Sequence, residues 1–412
     1  MTKIKPFRAV RPVRDKVHLV ATRPYYCYKK SVLKAKLKSN PYTFLQIINP
    51  NYDLLEVNAD KEQENNRLNL IKDKYNQYIN EGVLVQDTIE TLYVYRQSHV
   101  DFAYTGIIAA ASVQDYTEGK IKKHEATLTS RETLFTNYLD VVGYNAEPVL
   151  LSYQHDEQIA SLINQVCLDR PEYEFTTTDE IKHELWLMSP SQAEACVDFF
   201  QKIDATYIAD GHHRIASSAL LNSKRTADGN PSSDASYFLS FLIDEEKLKI
   251  FEYNRLVRNT TNLTVLSFLD EVGKHFTVLP LEAHQKPSKE HEMNMYLNNT
   301  WYRLECKPEI IEPNHPIRSL DAEILTNYVL TPILGIHDLK TDKNIGFTAG
   351  TVTLEKMIRK MKKQHFDIAF ELFPVRMDQI RKVADNDMIM PPKSTWIEPK
   401  LRSGLTIYKI NE

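Results

Sequence analysis

Ala209-Asp210-Gly211-His212-His213-Arg214 is the stretch whose reading decides the fold. It follows a short apolar run, Ala205 to Ile208, and leads straight into Ile215-Ala216-Ser217-Ser218-Ala219-Leu220-Leu221, which reads as a helix. A strand, a tight glycine turn and a helix start bearing two imidazoles and a guanidinium make a place for a multiply charged anion. First-turn amides lack intrahelical partners, and the helix dipole is positive at that end. Arg214 can fork onto two oxygens, and His212 and His213 can add donors. Asp210 brings a negative charge to the same loop, which would repel the anion unless a divalent cation stood between them. The combination points to phosphoryl chemistry. The plainer reading is an ordinary helix start, with Asp210 as cap, Arg214 as its surface partner and the histidines partly exposed. Zinc is disfavoured, because neighbouring ligands at a helix start diverge and neither HExxH nor CxxC occurs.

Composition narrows the class. At 412 residues and 42% hydrophobic, the chain can bury large cores and is expected to form two or three domains. Its 51 basic and 55 acidic residues are evenly mixed, with a net charge of −4, which disfavours a nucleic-acid partner. Cys27, Cys167, Cys196 and Cys306 are far apart and read as free thiols of a reducing compartment. Met1-Thr2-Lys3-Ile4-Lys5-Pro6 has no apolar leader core, and no stretch approaches the apolar length of a membrane span, so a soluble, cytoplasmic protein is expected. Glycine is scarce, 11 residues against an average usage of roughly 7%. Neither GxGxxG nor GxxxxGK[ST] occurs, so a dinucleotide-binding loop and a P-loop are disfavoured. Any grip on phosphate must come from side chains and helix ends.

The remaining pattern reads as strands and helices in irregular alternation. Val17 to Tyr28 and Thr43 to Ile48 read as strands around a basic helix, Lys29 to Lys38. Asp60 to Glu81 is a polar helix with Leu68, Ile71, Tyr75 and Tyr78 on one face, stopped by Gly82. Thr91 to Arg96 and Val100 to Val113 alternate like a hairpin. Thr129-Ser130-Arg131-Glu132 has the capping-box pattern of a helix that ends near Gly143, and a turn at Asn145 to Pro148 leads into a strand, Val149 to Tyr153. Helices follow at Asp156 to Leu168 and Pro190 to Ile203, the second capped by Ser189. Tyr237 to Ile243 is an apolar strand, and Lys286 to Asn294 is the most linker-like stretch. Helices at Ser319 to Leu330 and Leu354 to Lys363 precede strands at Asp367 to Phe373 and Leu405 to Ile410. Hairpins among helices favour α+β with mixed sheets over a doubly wound sheet.

Two further clusters are polar for a purpose. Ile121-Lys122-Lys123-His124-Glu125-Ala126-Thr127 holds a His-Glu pair just ahead of a helix, where Glu125 suits a general base or is an ordinary surface carboxylate. Lys393-Ser394-Thr395, after two prolines, combines a cation with two hydroxyls, as phosphate and Mg²⁺ sites do. The arginines Arg8, Arg11, Arg14 and Arg23 read equally well as solvated surface.

With these motifs in order, the chain resembles a large microbial family catalogued as domain of unknown function 1015, nearly end to end. The resemblance rests on Ile4-Lys5-Pro6-Phe7-Arg8-Ala9, on Asp115-Tyr116 with Lys123-His124-Glu125, on Tyr207 to Arg214, and on Met390 to Lys400 with Gly404-Leu405. Thr22-Arg23-Pro24-Tyr25-Tyr26 departs from the common Pro-Pro-Tyr-Asp, and Asn254-Arg255 from the common His-Arg, which suggests a subgroup. Asp210-Gly211-His212-His213-Arg214 is also similar to the signature of free serine kinases, which share a core with ParB and sulfiredoxin. In those kinases a His-Glu pair precedes a helix upstream of the signature, and the Glu is the base on the serine hydroxyl. Lys123-His124-Glu125 has that position, with an insertion around Asp156 to Lys202 accounting for a longer gap. Sulfiredoxin has a cysteine where this chain has His212, and ParB carries a basic DNA-binding unit that has no counterpart here.

The resemblance implies a phosphotransferase that makes O-phosphoserine from free L-serine with Mg²⁺. Glu125, Asp210 and His213 would be catalytic, with Asp210 holding or orienting the metal. Gly211, His212, His213 and Arg214, with Lys393, Ser394 and Thr395, would hold the donor phosphates, and His124 and Thr127 the substrate. Relatives of this core use ATP, ADP or pyrophosphate, and the lack of a nucleotide loop slightly favours pyrophosphate. The alternatives are a phosphoserine phosphatase and a non-catalytic nucleotide- or anion-binding module. The expected division is an N-terminal α/β part over 1–110, a ParB/sulfiredoxin-like catalytic core over 111–258, and a C-terminal α/β part over 259–412.

Overall fold

The computed structural model describes residues 2–49, 61–261 and 263–411. The chain forms two compact units. One comprises Met1–Lys122, Thr127–Leu248 and Pro399–Glu412; the other comprises Lys123–Ala126 and Lys249–Glu398. The expected boundary at 110/111 falls inside a strand, Phe102–Ser112, which carries the first unit's sheet across it.

The first unit is built on a nine-stranded mixed sheet. Its order runs Ile121–Lys122, Thr206–Asp210, Val149–Tyr153, Tyr237–Asp244, Phe102–Ser112, Tyr93–His99, Lys182–Leu187, Tyr173–Thr176, and Ile4–Lys5 also pairs with Phe102–Ser112. The central strands are buried on both faces, which is why Ile107-Ile108-Ala109-Ala110-Ala111 reads as a continuous apolar run. Gly106 is required there: a Cβ would lie 2.4 Å from the Leu242 carbonyl oxygen. Parallel pairing sets Tyr207 beside Lys122, and Phe241 beside Leu150. Ile107, Leu151, Trp186, Ile208, Ile215 and Phe238 form one core with the helices Glu157–Val166 and Pro190–Phe200. Burying each large side chain stabilises the fold by about 1.5–3 kcal/mol. The helix Lys61–Asn80 buries Leu68, Ile71, Tyr75 and Tyr78 in a second cluster with Phe44, Tyr144 and Ile407.

The second unit has a seven-stranded sheet whose pairs are all antiparallel. Its order is Phe276–Leu281, Thr300–Cys306, Glu292–Leu297, Ile368–Glu371, Lys249–Val257, Ile345–Ala349, and Thr395–Glu398 also pairs with Lys249–Val257. One face packs Val257, Met293, Met295 and Phe370 against Phe268 and Val272 of the helix Val265–Gly273 and against Ile324, Leu325 and Val329. Leu256 and Ala369 lie on the other face, against Met357 and Met361 of the helix Leu354–Gln364.

The mixed α+β reading, the hairpin and the cap at Ser189 are present as expected, and at Ser189 the Gln192 side chain completes a capping box. Several local readings differ. Val17 to Tyr28 is not a strand: Val17–Val20 and Tyr25–Cys27 are helical turns, and the single bridge Thr22 to Ser403 is its only ladder contact among the described residues. Leu45–Ile48 is likewise a helical turn, closed by the Asn49 amide on the Leu45 carbonyl. These apolar runs are short and flanked by Pro24 and Pro41, so length and burial alone could not separate strand from turn. The linker-like Lys286 to Asn294 runs into the interior strand Glu292–Leu297, where Arg303 pairs the buried Glu292 and Asn294. The helix Thr129–Val142 is present but lacks the expected box: its cap is Leu128, and Thr127 Oγ1 donates to Glu132 instead. Ser319 to Leu330 divides into an α-helix, Asp321–Leu325, and a π-turn, Thr326–Leu330, and the last strand is only Tyr408–Lys409. Asp60 lies outside the described residues.

Candidate functional site

The strand Thr206–Asp210 is buried up to its last residue, and its register against Val149–Tyr153 shifts between Ile208 and Asp210. A bulge of this kind re-aims the side chain that follows it. Gly211 then turns the chain at φ +101°, and a Cβ there would lie 2.8 Å from Arg214 Nε. Only glycine accepts both the dihedral and the close guanidinium. The helix His212–Ala227 begins at once, and its first intrahelical hydrogen bonds run from the Arg214 and Ile215 amides to the Gly211 carbonyl, at 2.8 and 3.2 Å. His212 and His213 therefore stand at the positive end of a 16-residue helix. His212 is buried and His213 half-buried.

Arg214 folds back beneath the turn. Its NH2 donates to Asp210 Oδ2 at 2.8 Å, and its NH1 donates to the Pro148 carbonyl at 2.9 Å and to Glu147. The second Glu147 oxygen accepts from Ser403 Oγ at 3.1 Å. Lys400 Nζ lies 3.3 Å from Asp210 Oδ1, with its side chain almost wholly buried. Burial pushes the Asp210 carboxyl up, but Lys400 and Arg214 outweigh it and hold the group below the usual aspartate value. Asp210 is thus an ionised carboxylate between two cations. Ser217 Oγ donates to the His213 carbonyl of its own helix at 2.7 Å and lies 3.2 Å from the Glu132 carbonyl oxygen of the neighbouring helix Thr129–Val142.

The first unit therefore brings together Asp210, Gly211, His212, His213 and Arg214, and adds Glu147 and Lys400, which sequence reasoning did not single out as site residues. Lys400 closes the Met390 to Lys400 run and Glu147 precedes a strand-initiating proline, but nothing local marks either as a partner of a distant loop. The sequence suggests Arg214 as a phosphate clamp; in the structure its fork is directed at the Glu147 and Asp210 carboxylates and the Pro148 carbonyl of its own unit. Thr127, in the same unit, directs its hydroxyl at Glu132. Arg11 is no solvated residue: it meets Asp87, Glu172 and Tyr173. Asp115 accepts from the Lys3 amide at 2.5 Å and ties down the N-terminal segment.

The second unit holds the other candidates. The Met390 amide donates to the His124 carbonyl at 2.8 Å, so the His124-Glu125 segment is tied to the start of Met390-Pro391-Pro392-Lys393-Ser394-Thr395. His124 is buried and Glu125 half-buried. Ser394 Oγ donates to the Pro391 carbonyl at 2.7 Å, and Lys393, at φ +57°, carries its ammonium 5.3 Å from the centre of the Tyr253 ring. Among the described residues, the one grouping with metal-ligand spacing is His155, Asp244 and Glu246, and it does not include Asp210.

The family model described as protein of unknown function, DUF1015, matches residues 4–323. No curated protein matches the sequence. Among solved structures, the chain is similar to a free serine kinase in complex with AMP, at 12% identity and a TM-score of 0.37, covering 74% of this chain and 91% of that one. It is similar to SbnI with C-terminal truncation from Staphylococcus aureus, at 11% identity and a TM-score of 0.38, covering 73% and 87%. It is also similar to a conserved hypothetical protein from Pyrococcus furiosus, at 14% identity and a TM-score of 0.34, covering 73% and 94%. Likeness of this degree carries no functional argument.

Proposed function

The chain belongs to the DUF1015 family, and we propose that it is a phosphotransferase that converts free L-serine into O-phosphoserine. The observation that carries this reading is the turn Asp210-Gly211-His212, at the positive end of a long helix and with the Lys400 ammonium beside it. A phosphoryl group in flight needs positioning and charge neutralisation more than covalent chemistry, and helix amides, imidazoles and an ammonium supply both. The similarity of Asp210-Gly211-His212-His213-Arg214 to the free serine kinase signature supports serine as acceptor and a ParB/sulfiredoxin-like core around it.

In this reading the serine hydroxyl oxygen attacks the terminal phosphorus of the donor. The bond from that phosphorus to the leaving phosphate oxygen breaks, and the hydroxyl proton passes to Glu125. His124 and Thr127 bind the serine. His212 and His213 hold the phosphoryl oxygens, Arg214 keeps Asp210 and the turn in place, and Lys393, Ser394 and Thr395 hold donor phosphate in the second unit. The scarcity of glycine loops slightly favours pyrophosphate over a nucleotide as donor, and inorganic phosphate is then the leaving group.

Asp210 does not fit a resident Mg²⁺. Both of its oxygens face cations, Arg214 and Lys400, and a metal would have to displace them. No step of the proposal runs through a metal on Asp210; Mg²⁺ enters as the counter-ion of the donor phosphates. Among the described residues, no helix is long and apolar enough to cross a membrane.

The reverse reaction tests the proposal. Given O-phosphoserine and inorganic phosphate, or O-phosphoserine and a nucleoside diphosphate, a kinase forms pyrophosphate or a nucleoside triphosphate. Release of inorganic phosphate alone identifies a phosphatase, and binding without turnover identifies a non-catalytic module.

A further inference from the structure

Tyr153 and Asp244 are register partners at the ends of two parallel strands of the first unit, Val149–Tyr153 and Tyr237–Asp244. The crevice beyond such strand ends is a common seat for ligands. His155 follows the first strand and precedes the helix Glu157–Val166, and Glu246 lies in the short turn Glu245–Lys247 that follows the second. Asp244 caps that turn, its Oδ1 accepting from the Glu246 amide at 2.9 Å. Its Oδ2 stands 2.6 Å from His155 Nδ1, and Glu157 Oε2 stands 3.3 Å from His155 Nε2. One ligand atom from each of His155, Asp244 and Glu246 lies within 4.8 Å of the other two. Charge sets this group apart. Elsewhere in the first unit the buried Asp115 is met by Lys120, and the buried Glu184 by Arg96 and Lys182. The side chain of Asp244, also buried, meets only an imidazole, and among the described residues no lysine or arginine pairs with Glu157 or Glu246. Three carboxylates therefore share one histidine, whereas both oxygens of Asp210 already face cations.

We propose that His155, Asp244 and Glu246 hold a divalent first-row transition ion, of the zinc class, at the outer end of these two strands. One imidazole nitrogen with two carboxylate oxygens is a donor set for such an ion, whereas Mg²⁺ and Ca²⁺ favour oxygen alone. The ion takes the place of the proton between His155 Nδ1 and Asp244. Two ligands at about 2.1 Å from a tetrahedral ion stand roughly 3.4 Å apart, so the imidazole and the carboxylate must part by less than about 1 Å. The His155 side chain is 41% exposed and free to make that movement. Glu157 then accepts from Nε2–H, as the outer carboxylate that orients a ligating imidazole. Three protein ligands leave the remaining position to water, and Glu157 borders an open groove with Gln158 and Ser161, so the ion enters from solvent. The site does not depend on serine as acceptor or on catalysis at the Gly211 turn.

The full chain, stripped of metal with a chelator, is titrated calorimetrically with Zn²⁺, Mg²⁺ and Ca²⁺, and its melting midpoint is followed with and without Zn²⁺. The variants His155→Ala, Asp244→Asn and Glu246→Gln are treated alike. The parent is expected to bind Zn²⁺ at least about tenfold more tightly than Mg²⁺ or Ca²⁺, and to melt higher with Zn²⁺ present. Each variant is expected to bind Zn²⁺ at least about tenfold more weakly and to lose most of that rise in midpoint. Asp244→Asn keeps an oxygen for the Glu246 amide; should it still fail to fold, Glu246→Gln, changed at an exposed side chain, decides the matter. Unchanged Zn²⁺ affinity in folded His155→Ala or Glu246→Gln would overturn the site and place the ion at another part of the chain. No Zn²⁺ binding by the parent would also overturn it. So would Mg²⁺ or Ca²⁺ binding as tight as that of Zn²⁺, which marks an acidic loop only.

Discussion

Lys400 Nζ stands 3.3 Å from Asp210 Oδ1, although 190 residues separate them in sequence. The pair ties the closing segment of the chain to the strand end that precedes the glycine turn, and it places a buried ammonium beside the proposed phosphoryl site. Lys400→Met removes that charge at nearly constant volume. Pyrophosphate affinity, measured by calorimetry on the folded variant, is expected to fall by at least about tenfold, or ~1.4 kcal/mol. Equal affinity in variant and parent would show that Lys400 serves only to hold Asp210.

Gly211 and Arg214 act as one device. Gly211→Ala puts a Cβ against the guanidinium at a dihedral that L-residues rarely adopt, and stability is expected to drop by about 1–3 kcal/mol. Arg214→Lys keeps the charge but cannot reach Glu147, Pro148 and Asp210 together, for an expected loss of about 1.5–3 kcal/mol. Chemical denaturation measures both. A change under about 0.5 kcal/mol in either variant, the range of ordinary surface substitutions, would mean that the turn does not depend on the pair.

His183 provides a pH signature of the first unit. It is fully buried, with Nδ1 2.7 Å from Tyr95 Oη and Nε2 3.2 Å from Thr177 Oγ1, and burial and then Arg402 push its pKa down to about 3. The unfolded chain titrates this group near 6.5, so below that pH the unfolded state binds the extra proton. The stabilisation from neutral His183 is therefore complete above pH 6.5 and is lost as pH falls toward 3. Its size is on the order of a few kcal/mol. Replacing His183 by Phe is expected to flatten the stability curve between pH 6.5 and 4; a variant curve parallel to the parent's would contradict this.

The four cysteines are expected to be dispensable for turnover. Burial pushes the thiols of Cys196 and Cys306 up to about 12 and raises that of Cys167, so these thiols stay protonated and inert at neutral pH. A chain with all four changed to Ala or Ser should keep its specific activity per folded molecule. Loss of activity on changing one of them, in protein shown to be folded, would argue for thiol chemistry.

Local signals were legible in the sequence. The strand, turn and helix around Gly211 could be read because each is encoded within a few residues, as could the buried stripe Leu68, Ile71, Tyr75, Tyr78 and the cap at Ser189. Long-range pairing was not. Glu147 lies 67 residues from Arg214, and without that partner the guanidinium read as a donor waiting for an anion. The polar composition of Lys286 to Asn294 concealed a strand because its buried Glu292 and Asn294 are satisfied by Arg303, from the neighbouring strand. Short apolar runs such as Leu45–Ile48 carry no period long enough to separate a turn of helix from a strand.

The central claim is phosphoryl transfer to the serine hydroxyl, and one measurement meets it directly. The full chain is incubated with L-serine, Mg²⁺ and, in turn, pyrophosphate, ADP and ATP, and phosphorus NMR follows the products, with Glu125→Gln run in parallel. The account predicts O-phosphoserine, with pyrophosphate as the favoured donor and a rate in Glu125→Gln at least about a hundredfold lower. Absence of O-phosphoserine with every donor, or an equal rate in the Glu125→Gln variant, would contradict it.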